Sequence, residues 1–127
     1  MSASRAVGTD AELHRILAAT PAAGRVVLVD PRGRLAAVAG GAVAPDAGPA
    51  VMRLWEDATR AARTRSPSAL DHVVARTTVG GLVVVRCRDG LLAAVCRTDS
   101  RPDRLAYELR RAAAGLSLPP ATAEGEA

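Results

Sequence analysis

The residues that could carry chemistry are few in this sequence and lie far apart. His14 and His72 are its only histidines, and Cys87 and Cys96 are its only cysteines. Neither histidine belongs to a recognisable metal-binding motif, since the ligands of zinc sites occur in characteristic, closely spaced sets. We therefore interpret both histidines as structural or surface residues, and we expect neither a metal ion nor a cofactor.

Motifs of nucleotide hydrolysis and acyl transfer are also missing from the sequence. A phosphate-binding loop of the G-x-x-x-x-G-K-[ST] type requires a lysine, and the sequence contains none. No G-x-S-x-G segment occurs either. The Gly-Gly pairs at 40–41 and 80–81 are typical of turns at strand ends. These observations predict a protein that is not itself an enzyme.

The charge of the chain permits, without requiring, a nucleic-acid partner. Its formal net charge is +4, and a basic protein can bind phosphate backbones. The arginines are spread along the whole chain, often beside Asp or Glu. One Trp and one Tyr are the only aromatic residues, which leaves few rings for bases to stack on. A solvated surface is the favoured interpretation, and a basic nucleic-acid-binding module is an alternative.

Hydropathy and cysteine spacing favour a cytoplasmic protein. No apolar run approaches the roughly 18 residues of a membrane span, and residues 1–8 contain no apolar signal segment. Cys87 and Cys96 would lie on one face of a predicted hairpin, four strand positions apart, or about 13 Å at about 3.3 Å per residue. That separation exceeds the reach of a disulfide, so both are predicted to be buried thiols.

Residues 80–97 carry the strongest structural pattern, two apolar runs joined by Asp89-Gly90. Such a dipeptide between runs of strand length is typical of a two-residue hairpin turn. With Asp89 and Gly90 in the turn, Val85 would pair with Ala94. Both faces of this hairpin are apolar, so we expect it in the middle of a sheet with helices on each side.

The segments before the hairpin predict a helix and a first strand pair. Thr9-Asp10-Ala11-Glu12 matches a capping box, which predicts a helix from there to about residue 20 after a flexible N-terminus of residues 1–8. Strands at 25–29 and 34–39 follow. The turn Asp30-Pro31-Arg32-Gly33 joins them.

A second helix and a third strand are predicted between the first strand pair and the hairpin. Pro49 suits the first turn of an amphipathic helix that ends near residue 65. Residues 69–79 alternate as a strand but are less apolar than the hairpin, and such a strand is typical of a sheet edge.

The chain after the hairpin predicts one more helix. Pro102-Asp103 is a typical helix start, Leu105 and Leu109 would face the core, and Gly115 suits the C-cap. Residues 117–127 offer little to pack and are predicted to be a disordered tail. The folded domain would then span residues 9–116.

The predicted order, α-β-β-α-β-β-β-α, describes an α/β (α+β) domain with a five-stranded antiparallel sheet and helices on both faces. In this order and at this length the chain resembles the Roadblock / dynein light chain family. Three segments carry the resemblance: the turn at Asp30-Pro31-Arg32-Gly33, the Asp89-Gly90 hairpin, and Leu105-Ala106-Tyr107-Glu108-Leu109 within residues 99–110. The last is similar to the final helix of small bacterial members. The resemblance implies a profilin-like fold.

The resemblance also implies a homodimer, since members of the family set the second helix against its symmetry mate and join their third strands into one sheet. Transferred to this sequence, the interface would include residues of the second helix and third strand: Trp55, Thr59, Ala62, Leu70, His72 and Val74. The alternative for Trp55 is packing onto its own sheet.

The function implied by the resemblance is that of a non-enzymatic regulator or scaffold, which binds a small Ras-like GTPase and modulates its nucleotide state. Two alternatives belong to other classes. One is the nucleic-acid-binding module described above. The other is a profilin-like ligand-sensing module, which requires a cavity. A core of Val, Leu and Ala without any Phe could leave one.

Overall fold

A computed structural model describes residues 2–65, 70–77, 80–88, 90–97 and 100–114. Within them the chain forms three helices and five strands in the predicted order. The helices are α1 (Ser2–Ala19), α2 (Ala47–Arg63) and α3 (Pro102–Ala114). The strands are β1 (Ala23–Val29), β2 (Leu35–Ala39), β3 (His72–Thr77), β4 (Gly80–Cys87) and β5 (Gly90–Cys96).

The five strands form one antiparallel sheet in the order β2-β1-β5-β4-β3. The β4–β5 hairpin lies inside the sheet and β3 lies at an edge, and both positions were predicted from the polarity of the strands. Helices α1 and α3 pack on one face, while α2 packs on the other. The predicted fold class is confirmed.

Two apolar clusters fill the space on either side of the sheet. The first cluster lies under α1 and α3 and contains Leu13, Leu105 and Leu109. The second cluster lies under α2 and contains Val51 and Trp55. Successive residues of β4 and β5 enter opposite clusters because side chains alternate along a strand. This alternation confirms that both faces of the hairpin are buried, as predicted.

The register of the β4–β5 hairpin differs from the prediction by two residues. Gly90 pairs with Cys87, and Val85 pairs with Leu92 instead of Ala94. A shift of two preserves which side chains share a face. A Cβ on Gly90 would lie only 2.3 Å from the Val29 carbonyl oxygen. Gly90 therefore allows β5 to approach β1 closely and belongs to the strand. Asp89, the other predicted turn residue, lies outside the described residues.

The turn between β1 and β2 forms as predicted. One side-chain oxygen of Asp30 accepts hydrogen bonds from the backbone amides of Arg32 and Arg34, both at 2.9 Å. Gly33 adopts a φ of +83°, which suits glycine. Helix α2 packs tightly on this turn, because a Cβ on Gly48 would lie 2.6 Å from the Gly33 carbonyl oxygen.

Helix α1 begins at Ser2, so the predicted helix start at Thr9-Asp10 is wrong. Thr9 is buried inside the helix. Residues 2–8 are mostly Ser, Ala, Arg and Val, and the good helix formers among them let the helix extend toward the N-terminus. The flexibility predicted for residues 1–8 stays a prediction. The C-cap at Gly115 and the disordered tail of residues 117–127 lie outside the described residues.

Candidate functional site

The α2 side of the sheet is only partly covered by its helix. Helix α2 packs mainly over β1, and it buries Gly48, Val51 and Trp55. Between α2 and the β3 edge, apolar side chains of the second cluster stay half-buried. We call this set the open apolar surface: Leu54, Leu70, Val73 and Leu82.

Trp55 packs onto its own sheet. It is only 6% exposed and lies in the second cluster. The guanidinium of Arg86, an exposed residue of β4, lies 5.4 Å from the centre of the Trp55 ring, within the range of a cation–π interaction. Trp55 therefore packs onto its own sheet within the single chain, and its place at or near a dimer interface stays a prediction. Replacing Trp55 would damage the core of the single chain.

Thr59, Ala62 and Leu70 lie on the same side of the sheet as Trp55. Thr59 and Ala62 are half-buried residues of α2. The Thr59 hydroxyl donates to the carbonyl oxygen of Trp55 at 2.8 Å, one turn earlier. Leu70 packs against the second cluster just before β3. These side chains lie on or beside the partly covered face.

His72 and Val74 point to the opposite face of the sheet. Val74 pairs with Val83, His72 pairs with Val85, and all of these belong to the side covered by α1 and α3. The six predicted interface residues are therefore divided between the two faces of the sheet: those of α2 and Leu70 lie on one face, and His72 and Val74 lie on the other. His72 is half-buried, and its Nδ1 has no hydrogen-bond partner among the described residues.

Strand β3 leaves one side of its backbone unpaired within the sheet. Among the described residues, its only strand neighbour is β4. An edge strand presents a row of backbone donors and acceptors to another chain. The open apolar surface adjoins this edge, because Val73 of β3 lies opposite Val84 and diagonal to Leu82. Edge and surface together form the candidate interface.

A pocket lies at the start of α2, and its lining residues were not predicted from the sequence. Its volume is about 250 Å³, and aliphatic side chains from the sheet, the β2–α2 connection and α2 line it together with Arg25 of β1. The small side chains of Ala47 and Ala93 leave part of this space. The only hint in the sequence was the absence of Phe from the core.

The described residues contain no group of His, Cys, Asp and Glu side chains able to hold a metal ion. His14 is exposed on α1, where its Nδ1 lies 2.7 Å from the carbonyl oxygen of Asp10. Cys87 and Cys96 are buried in the first cluster. Among the described helices, none is long and apolar enough to cross a membrane.

The chain is similar to known proteins in its three-dimensional structure. No protein-family model and no curated protein matches the chain. Myxococcus xanthus MglB is similar with a TM-score of 0.72 and 13% identity, covering 85% of this chain and 84% of that one. A Roadblock/LC7 domain from Streptomyces avermitilis is similar with a TM-score of 0.69 and 18% identity, covering 82% and 90% respectively.

A profilin is also similar to this chain. Acanthamoeba castellanii profilin II has a TM-score of 0.60 and 21% identity, covering 83% of this chain and 93% of its own. At sequence identities of 13% to 21%, these similarities show a shared fold. The chain has the Roadblock fold, and it is similar to profilin as well.

Proposed function

We propose that this protein is a homodimeric regulator that binds a small Ras-like GTPase and modulates its nucleotide state. In this proposal it acts in the cytoplasm as a non-enzymatic scaffold, and the GTPase supplies the active site. The observation that carries the proposal is the structural likeness to MglB and a Roadblock/LC7 domain over more than four-fifths of the chain.

The proposed dimer follows from the candidate interface. A two-fold axis places the same patch of both copies in contact. Antiparallel pairing of two β3 edges would satisfy their outward backbone groups and join two five-stranded sheets. Helix α2 of each copy would then lie next to the open apolar surface of the other. Burying Leu54, Leu70, Val73 and Leu82 supplies the apolar contribution to association.

We propose a small GTPase as the partner because the chain resembles the Roadblock family. Two routes can accelerate hydrolysis by a bound GTPase: ordering its own switch segments, or inserting an arginine that stabilises charge in the transition state. We favour the first route. Arg86, an exposed arginine on the α2 side of the sheet, is already engaged with the Trp55 ring.

Affinity capture with two nucleotides tests this function. The purified chain is immobilised and incubated with cytoplasmic extract of its source, supplemented either with a non-hydrolysable GTP analogue or with GDP. Mass spectrometry then identifies the retained proteins. We expect a small GTPase to be retained in one nucleotide state more than in the other. Equal retention in both states, or retention of no GTPase, would contradict the proposal.

A further inference from the structure

We propose that His72 of each copy meets the partner's Arg76 across the β3 edge of the proposed dimer, and that this contact makes dimer formation depend on pH. The inference rests on the proposed dimer and adds its regulation. It is based on the positions of the two residues within β3 and on the rules of antiparallel strand pairing.

His72 and Arg76 lie on the same face of β3. Side chains alternate along a strand, so His72, Val74 and Arg76 all face the side of the sheet that α1 and α3 cover. His72 is half-buried and Arg76 is exposed. Among the described residues, Arg76 forms no ion pair. Both side chains therefore lie beside the open edge of the sheet.

Two-fold symmetry limits the registers in which β3 can pair with its own copy. Paired residues must point to the same side of the joined sheet, so the two residue numbers of every pair add up to an even number. A register centred on Val74 pairs residues 72–76, and one centred on Ala75 pairs residues 73–77. Each uses five of the six residues of β3, and every other centre uses fewer.

Both of these registers bring His72 close to the partner's Arg76. With Val74 on the two-fold axis, His72 lies directly opposite the partner's Arg76, and with Ala75 on the axis the two are diagonal neighbours. Directly opposite Cβ atoms are about 4.5–5.5 Å apart and diagonal ones about 7–8 Å, which a long side chain can span. The symmetry forms the contact twice in each dimer.

This contact favours the neutral form of His72. A neutral imidazole can accept a hydrogen bond from a guanidinium through its unprotonated nitrogen, whereas an imidazolium has only donors and repels a second cation. Nδ1 of His72 is shielded from water and has no hydrogen-bond partner among the described residues. Protonation of both ring nitrogens would therefore also leave a buried donor unpaired.

The other groups packed around His72 do not reverse this preference. Val85 of β4 lies opposite His72 and is apolar. Helix α3 contributes Arg110, whose guanidinium lies 3.8 Å from the carboxylate of Asp71. The carboxylate next to His72 in the chain is therefore already paired with an arginine, and the partner's Arg76 supplies the further charge that the ring meets in the dimer.

The dimer therefore weakens in acid. Both copies hold a neutral ring in the dimer, while the separate chains accept either form. Association is strongest above the titration range of histidine, about pH 5 to 8, and is lost as the pH falls through that range.

Sedimentation velocity of the full chain at about pH 8 and about pH 5.5 tests the proposal, and we expect the dimer dissociation constant to be at least about tenfold larger in acid. His72→Gln keeps an uncharged acceptor, and its constant should change by less than about threefold. His14→Gln removes the exposed histidine of α1 and, as the matched control, should retain the full change. Circular dichroism at both pH values checks that each variant folds.

Arg76→Gln separates this contact from a general effect of acid. Without the partner's guanidinium, the dissociation constant should change by less than about threefold between the two pH values. A parent dimer that is equally tight at both pH values, or an acid effect that persists in His72→Gln, would overturn this inference and leave the dimer standing. A parent chain that is monomeric at about pH 8, above the histidine range, would instead overturn the proposed dimer, and this inference with it.

Discussion

Asp30 accepts two backbone hydrogen bonds through one side-chain oxygen, from Arg32 and Arg34. Its own amide donates to the carbonyl oxygen of Arg34 at 2.8 Å. The side chain thereby fixes the β1–β2 turn, and the Gly33 carbonyl of that turn lies against Gly48 of α2. A single carboxylate at the end of β1 thus helps to place the helix that carries the candidate interface.

Replacing this carboxylate should lower stability. Asp30→Ala leaves two backbone amides without their acceptor, and we expect the free energy of unfolding to fall by about 1–2 kcal/mol. Urea denaturation at fixed protein concentration measures the change. Asp57→Ala is the matched control, because Asp57 makes an exposed ion pair with Arg60, and it should change stability by less than about 0.5 kcal/mol. If both substitutions lowered the free energy of unfolding equally, the hydrogen bonds to the Asp30 side chain would not be what stabilises the turn.

At the scale of elements, the close approach of β5 to β1 depends on Gly90. Its hydrogen atoms face the Val29 carbonyl oxygen where a Cβ would lie at 2.3 Å. Because the neighbouring atom is backbone, a side chain there can be accommodated only by moving a strand. The pairing of β1 with the central strand β5 therefore requires a residue without a side chain at position 90.

Gly90→Ala should destabilise the protein by at least about 2 kcal/mol. Gly24→Ala is the control, since a Cβ on Gly24 would meet its nearest neighbours at 3.7 and 3.9 Å, which is ordinary contact. The free energy of unfolding of that variant should lie within about 1 kcal/mol of that of the parent. Thermal and urea unfolding of the two variants give the comparison. A Gly90→Ala protein as stable as Gly24→Ala would mean that β5 does not need this close approach.

Element order, sheet edges and buried faces were predictable because they follow from apolar periodicity and turn residues, both of which are local. The hairpin register was not, because Gly90 serves a contact with Val29, which lies far away in the sequence. The capping-box match at Thr9 does not mark the start of α1, because the residues before it include good helix formers and the helix extends to Ser2. For the candidate site, Leu70 and His72 lie on opposite sides of the sheet, because Leu70 precedes β3 and the alternation of a strand does not extend to it.

In the described part of the chain, α1 and α3 cover one side of the sheet and α2 alone covers the other. This asymmetry leaves Leu54, Leu70, Val73 and Leu82 half-buried beside the open β3 edge. A second copy can cover this surface and pair with the β3 edge at the same time. The proposed GTPase regulation presumes this dimer.

Leu54→Arg should weaken the proposed dimer without unfolding the chain. A charge buried in an apolar interface without a partner is unfavourable, and we expect the dimer dissociation constant to rise at least about tenfold, or about 1.4 kcal/mol. Ala61→Arg introduces the same side chain at an exposed position of the same helix and should leave the constant unchanged. Sedimentation velocity over a dilution series reports both values. A similar effect of the two substitutions would argue against a specific interface at Leu54.

Molar mass in solution decides whether the chain forms the proposed dimer through β3 and α2. The measurement is light scattering on the chromatographically purified chain across the micromolar range. We expect about 26 kDa, twice the 13.0 kDa mass of one chain, with a return toward 13.0 kDa in Leu54→Arg. A mass of 13.0 kDa for the parent chain at every concentration would contradict the proposed dimer.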